Sequence, residues 1–288
     1  MIFGLILVRY VVEGLEESMD NDEILSEVAR TYARDGVVLV RNFLDLRQLR
    51  VLVDSLDYAR ANPGPMSTDL SSNEEDEFFI DFLTFRRNPY MKELCTDTEI
   101  LKKLAIIVGT HEIRMFHDAV FVKSGDASPT PWHQDRPHYL IEGENNFSIW
   151  MSPDDVSENE SLAFVPASHK CEKIFHPRSF RDASEINDNS QFVTLTEDIF
   201  DELATQGIKV FNFKAGDAII FDNRTLHSAL RSRELAHRRA ISIRYVGDGA
   251  KLTTNFIDPH PPLHHMGMKL VDGGPPSDTW FPLVYSQE

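Results

Sequence analysis

Only two cysteines, Cys95 and Cys171, occur in 288 residues, and they form no CxxC pair. That excludes a disulfide framework and fits a reducing, cytoplasmic setting. Basic residues are scarce as well: 29 Lys and Arg against 46 Asp and Glu give a net charge of −17. A balance of that sign argues against a nucleic-acid partner held through its phosphates. The chain also lacks a long apolar run. Its N-terminal stretch Ile2 to Val12 is broken by Gly4 and Arg9 and falls far short of a membrane span. With no basic segment before it and no small-residue cleavage site after it, this stretch reads as a β-strand rather than a signal peptide. No membrane partner is expected, and there are no repeats or low-complexity segments.

What is present has a clear order. Hydrophobic residues make up 42% and charged residues 26%, enough for one large domain with a substantial core. Asn21 to Asp35 carries Ile24, Leu25, Val28 and Tyr32 at helical spacing, with acidic residues in its first turn and Gly36 at its end. Val37 to Val40 reads as a strand. Asp45 to Ala61 is a second amphipathic helix, with Pro63-Gly64 as its stop. Gly64 to Glu77 reads as a polar loop, and Asn88 to Gly109 as helical again. From Arg114 onward, short Val-, Ile- and Phe-rich runs alternate with turns, at 114–123, 131–135, 147–151, 161–165, 209–213, 218–222 and 240–246. Such spacing predicts a β-sandwich, barrel or jelly roll, with Cys171 to Gln206 as an excursion over its mouth. The expected architecture is mainly β with flanking helices (α+β). One domain spans 1–288: a mostly helical part over 1–113, a β-core over 114–247 and a loop-rich extension over 248–288.

The chemistry concentrates in Trp132-His133-Gln134-Asp135 and, far downstream, His227 and Arg238. On a strand, His133 and Asp135 leave the same face. An imidazole and a carboxylate so placed supply two-thirds of a facial metal site, and a distant histidine such as His227 completes the two-His-one-carboxylate set of non-haem iron(II) oxygenases. Arg238 opens the run Arg238-Arg239-Ala240-Ile241-Ser242-Ile243-Arg244-Tyr245, which is a strand by composition. Alternation puts Arg238, Ala240 and Ser242 on one face and Arg239, Ile241 and Ile243 on the other. A guanidinium near a metal is suited to a bidentate grip on a carboxylate. Arg244 shares the parity of Arg238 but lies about 20 Å further along the strand, and reads as structural.

Five ordered motifs now resemble the phytanoyl-CoA dioxygenase family of iron(II)/2-oxoglutarate oxygenases. They are Thr130-Pro131-Trp132-His133-Gln134-Asp135, Ser148-Ile149-Trp150, Leu162 through His169, the Gly216-Asp217 turn leading to His227, and Arg238-Arg239-Ala240-Ile241-Ser242. Asp35 through Leu44 is similar to the family's opening. The resemblance implies a double-stranded β-helix, the cupin-like jelly roll. It implies iron(II) held by His133, Asp135 and His227, and 2-oxoglutarate and dioxygen as cosubstrates. Arg238 would hold the distal carboxylate, with Trp150 beside the cosubstrate and His117 at a pocket position. Tyr139 is a further pocket candidate. Phe79 and Phe82 either line a substrate cavity or pack in the core. The implied reaction oxidises an unactivated C–H bond of a small molecule, foremost by hydroxylation, releasing succinate and CO2. Desaturation and cyclisation belong to the same chemistry.

Two departures from the family pattern stand out. Ser228-Ala229 follow His227 where Gly-Ser is usual, and Glu160-Ser161 precede the Leu162 strand where Asn-Gly is usual. The first removes a serine that can touch the cosubstrate. A competing reading is a cupin-type divalent-metal protein, an isomerase or ligand binder that uses no keto acid and needs no carboxylate anchor at Arg238.

Overall fold

The computed structural model describes residues 21–71, 77–125, 129–180, 182–186, 191–229 and 235–287. The apolar run Ile2 to Val12, expected as a strand, lies outside them. In chain order the helices are α1 (Asn21–Asp35), α2 (Leu46–Ala61), α3 (Pro89–Cys95), α4 (Thr98–Val108) and α5 (Glu197–Leu203). The strands before the metal motif are β1 (Val37–Val40), β2 (Thr68–Asp69), β3 (Glu77–Phe82) and β4 (Glu112–Gly125). Those after it are β5 (Ile141–Glu142), β6 (Asn146–Met151), β7 (Leu162–Phe164), β8 (Lys209–Val210), β9 (Ala218–Asp222), β10 (His227–Ala229), β11 (Leu235–Val246), β12 (Lys251–Leu252) and β13 (Leu283–Ser286).

Local chemistry accounts for the helix ends. Asp45 and Gln48 form a capping box on α2: the Gln48 amide donates to Asp45 at 2.7 Å and the Asp45 amide to Gln48 at 2.9 Å. Residues 88–109, expected as one helical stretch, divide at Thr96-Asp97 because the Asp97 carboxylate caps a new helix, accepting from the amides of Glu99 and Ile100. Gly36 turns the chain from α1 into β1 at φ +70°, and a Cβ there would sit 2.3 Å from His169 Nδ1. No residue with a side chain fits that corner.

Antiparallel pairing builds a large sheet in the order β1-β9-β6-β11-β4-β3-β2, with β13 also on β4, and a small sheet β10-β7-β8. This is the jelly roll expected from the strand spacing. The large sheet draws on all three expected segments, since β1 to β3 precede residue 114 and β13 follows 247. One of its faces packs on the helices: Val38, Ile149, Ile220, Ile241 and Ile243 join Val28, Leu52 and Leu104 in the main core. Its other face meets the small sheet, where Leu39, Trp150, Ile219 and Phe221 pack with Leu162 and Phe164. Strands covered on both faces carry apolar side chains on both, which is why β1 and residues 218–221 of β9 read as continuous hydrophobic runs.

Register decides which side chains face the space between the sheets. In the β4–β11 ladder Lys123 stands opposite Arg238, Phe121 opposite Ala240, Ala119 opposite Ser242 and His117 opposite Arg244. Beyond that row the ladder slips, Tyr245 pairing with Met115, so Phe116 is an extra residue. The bulge turns Met115 and Ile113 into the helix-side core while His117, only two positions on, lines the cavity.

Candidate active site

Between the sheets lies a cavity of about 400 Å³. At its centre a ligand atom from each of His133, Asp135 and His227 falls within 4.8 Å of the others, and all three residues are buried. The segment 131–135 is not the strand expected from its composition. Prolines at 131 and 137 restrict the backbone on either side, leaving one bridge, with His133 and His227 exchanging backbone hydrogen bonds at 3.0 Å. The chain then turns at Asp135 into the 3-10 helix Arg136–His138. The bridge sets the two imidazoles beside one another, with ring centroids 4.2 Å apart.

The donor set fits a divalent transition metal. His133 Nδ1 lies 2.8 Å from the Pro131 carbonyl and His227 Nδ1 2.9 Å from the Thr225 carbonyl. A carbonyl only accepts, so each Nδ1 donates, and each Nε2 keeps its lone pair. Both Nε2 atoms stand 3.9 Å from Asp135 Oδ1. Burial, then the neighbouring His227, pushes His133 down to about 3, so the imidazole is neutral near pH 7. Burial alone would raise the Asp135 carboxyl, but the Arg244 guanidinium and the imidazoles outweigh it and hold it below the usual carboxylate range.

Arg238 is buried, lines the cavity and donates through Nη1 to the Glu160 carbonyl. Arg239 faces away, in a two-pronged pair with Asp154 at 2.8 and 3.0 Å, as alternation requires. Trp150 lines the cavity with its indole edge-on to Phe213 at 5.0 Å. His117, Tyr139 and Phe82 line it as well, with Phe82 edge-on to His260 at 4.2 Å. Phe79 does not. It is offset by one strand position from Ile80 and Phe82, packs in the helix-side core, and lies under the Arg60 guanidinium. The period of two along β3 decides this: Ile80 and Phe82 share the cavity face, and Phe79 is on the other.

Two cavity cations on the large sheet escaped the sequence reading. Lys123, opposite Arg238, is 3% exposed with Nζ 3.7 Å above the Phe78 ring. Burial and then Arg238 bring it down to about 6. Its signal was parity with His117 on one strand, usable only once the partner strand is known. Arg244, expected to be structural, lines the cavity and places Nε 3.3 Å from Asp135 Oδ2. The separation along β11 stands, but the cavity runs along that strand from Arg238 to Arg244. The excursion contributes Arg178, Ser179, Phe180 and Ile186 to the lining, with the Phe180 ring 5.1 Å from His133. Ser228 instead donates to the Thr130 carbonyl at 2.7 Å.

A jelly roll whose two sheets enclose two histidines and one carboxylate defines a class, the facial-triad iron(II) oxygenases. Residues 32–240 match the family model of phytanoyl-CoA dioxygenase (PhyH), and the chain belongs to that family. Solved structures agree on the fold. The epimerase SnoN, in complex with Fe3+, alpha ketoglutarate and nogalamycin RO, superposes with a TM-score of 0.70 at 20% identity, covering 92% of this chain and 100% of its own. The alpha ketoglutarate dependent carbocyclase SnoK, also from nogalamycin biosynthesis, gives 0.69 at 18%, covering 93% and 97%. EctD from S. alaskensis, with 2-oxoglutarate and 5-hydroxyectoine, gives 0.63 at 17%, covering 97% and 95%. No curated protein matches the chain. Among the described residues no helix is long and apolar enough to cross a membrane.

Proposed function

We propose that this protein is an iron(II)- and 2-oxoglutarate-dependent oxygenase that oxidises a C–H bond of a small molecule, with hydroxylation as its reaction. The observation that carries the reading is one cavity with a His-Asp-His cluster at its centre and two cations, Arg238 and Lys123, paired across strands at one end. His133, Asp135 and His227 hold the metal, with the two imidazoles oriented by the Pro131 and Thr225 carbonyls. Arg238 takes the distal carboxylate of 2-oxoglutarate, and Lys123 across the ladder regains its proton to join it as the anion arrives. Trp150 forms a wall of that end, and the Phe180 ring excludes water beside His133. Bound iron with the keto acid and dioxygen supplies the oxidising power, and the keto acid leaves as succinate and CO2. His117, Tyr139, Phe82 and His260 line the cavity away from Arg238 and bind the substrate. Burial lifts the Tyr139 phenol above its ordinary value, so it stays a neutral hydrogen-bonding group.

The volume, shared with the cosubstrate, suits a compact molecule. The neighbours from nogalamycin biosynthesis favour a specialised metabolite. The test is a substrate panel read by succinate release and product mass, where one added oxygen marks hydroxylation and loss of two hydrogens marks desaturation. No absorption band on adding 2-oxoglutarate anaerobically to the iron-loaded, folded protein counts against the assignment. A metal protein without a keto acid would keep its activity in Arg238→Ala.

A further inference from the structure

The geometry points to Arg244, together with Ser148, as a positioning pair that holds one oxygen of Asp135 and leaves the other facing the metal. The inference rests on the metal-site reading above. Asp135 Oδ2 accepts from Ser148 Oγ at 3.1 Å and from Arg244 Nε at 3.3 Å, whereas Oδ1 is the oxygen 3.9 Å from both imidazole Nε2 atoms. The two donors are themselves a register pair, Arg244 standing opposite Ser148 in the β6–β11 ladder. One strand pairing therefore delivers both to the same carboxylate oxygen. The arrangement is buried, with the Arg244 side chain 11% and that of Asp135 7% exposed, so water competes little for Oδ2.

Asp135 depends on this grip more than the histidines do on theirs, since those two are joined by a backbone bridge. It lies outside any strand, at the turn into a 3-10 helix, and a carboxylate on a turn has no sheet to fix its rotation. Held at Oδ2, it offers a single oxygen to the ion. Released, it can swing to offer both, and the metal loses open positions that the cosubstrates need.

The probe is Co(II), added to metal-free protein and followed by calorimetry and by its visible ligand-field bands. Arg244→Met keeps the bulk and removes the donor, Arg244→Lys restores one donor, and Ser148→Ala removes the second. Asp135→Ala is the control. Arg244→Met should bind Co(II) ten- to a hundredfold more weakly with altered bands, and Arg244→Lys should recover part of both. Equal behaviour of the Met and Lys variants, or parental affinity and spectrum in Arg244→Met while Asp135→Ala loses binding, overturns the positioning role and leaves the metal site standing. Parental binding in Asp135→Ala overturns the metal-site reading itself. If Arg244→Met fails to fold by circular dichroism, Ser148→Ala decides: weakened binding supports the pair, and unchanged binding overturns it.

Discussion

Lys123→Met removes the ionisable group beside Arg238, together with its contact on the Phe78 ring, and keeps a side chain of similar length. Lys123 has a value of about 6, lowered by burial and by Arg238. At about pH 8 roughly one molecule in a hundred carries its proton. A carboxylate arriving between Lys123 and Arg238 draws that proton back. Regaining it costs about 2.7 kcal/mol at that pH, which cancels most of the 1.5–3 kcal/mol, roughly, of a charge-assisted hydrogen bond. At about pH 6 the cost falls to a few tenths of a kcal/mol and the bond is nearly all gain. The parent should therefore bind 2-oxoglutarate more tightly as pH falls from 8 to 6, and Lys123→Met should not. The variant's deficit should be about ten- to a hundredfold at pH 6 and a few-fold at most at pH 8. Burial puts His133 near 3 and His260 near 4, below this window. The assay is anaerobic titration of the iron-loaded protein with 2-oxoglutarate, read by the absorption band. Stability gives an independent sign. A lysine whose folded value lies below its unfolded one binds more protons when unfolded, so the parent gains stability as pH rises between 6 and about 10.4. Lys123→Met should lose that slope and melt higher than the parent at neutral pH. Identical pH profiles for binding in parent and variant would refute the reasoning.

Further outcomes follow from side-chain placement and backbone geometry. Arg238→Ala should weaken 2-oxoglutarate binding by about tenfold or more, through loss of a charged hydrogen bond. Arg239→Ala, one position on but facing Asp154, should leave binding unchanged and cost less than about 1 kcal/mol in stability; equal effects in titration would contradict the strand parity. Phe79→Ala should cost about 3–5 kcal/mol in chemical denaturation with the cosubstrate titration unaltered, whereas Phe82→Ala should change substrate turnover and cost less. Gly36→Ala meets both a left-handed φ and atoms at 2.3–2.6 Å from the new Cβ, a penalty of about 1–3 kcal/mol from the backbone alone. Because Thr225 bonds the Gly36 carbonyl at 2.8 Å and orients His227, that variant should also bind Co(II) less tightly.

Local pattern carried much of this fold. α1 keeps the bounds that its spacing and Gly36 suggested, and β9 those of its apolar run. The ligand trio was legible because motifs in fixed order constrain one another. Alternation also separated Arg238 from Arg239. It failed where the answer lay across strands. Whether Arg244 reaches Asp135 depends on the β6–β11 register, and whether Lys123 meets Arg238 depends on β4–β11, neither of which leaves a trace in the sequence within either strand. Phe79 was ambiguous because an aromatic shares its face of β3 with Glu77 and Asp81, so composition gave no clear inside or outside. The strand expected over 131–135 was overridden by prolines acting on backbone geometry.

The cavity has walls of two kinds. Its cation-paired end rests on the β4–β11 ladder, and the metal centre is tied to β10 through the His133–His227 bridge, so these side chains cannot shift without breaking backbone hydrogen bonds. Connecting segments supply the rest of the lining, with Arg178 to Phe180 from the excursion and His138, Asp258 and His260 from turns. Exchange of such segments leaves the sheet intact. The molecule is in effect a fixed reactor with a replaceable mouthpiece, so new substrates can be reached by altering loops while the oxidising centre stays untouched.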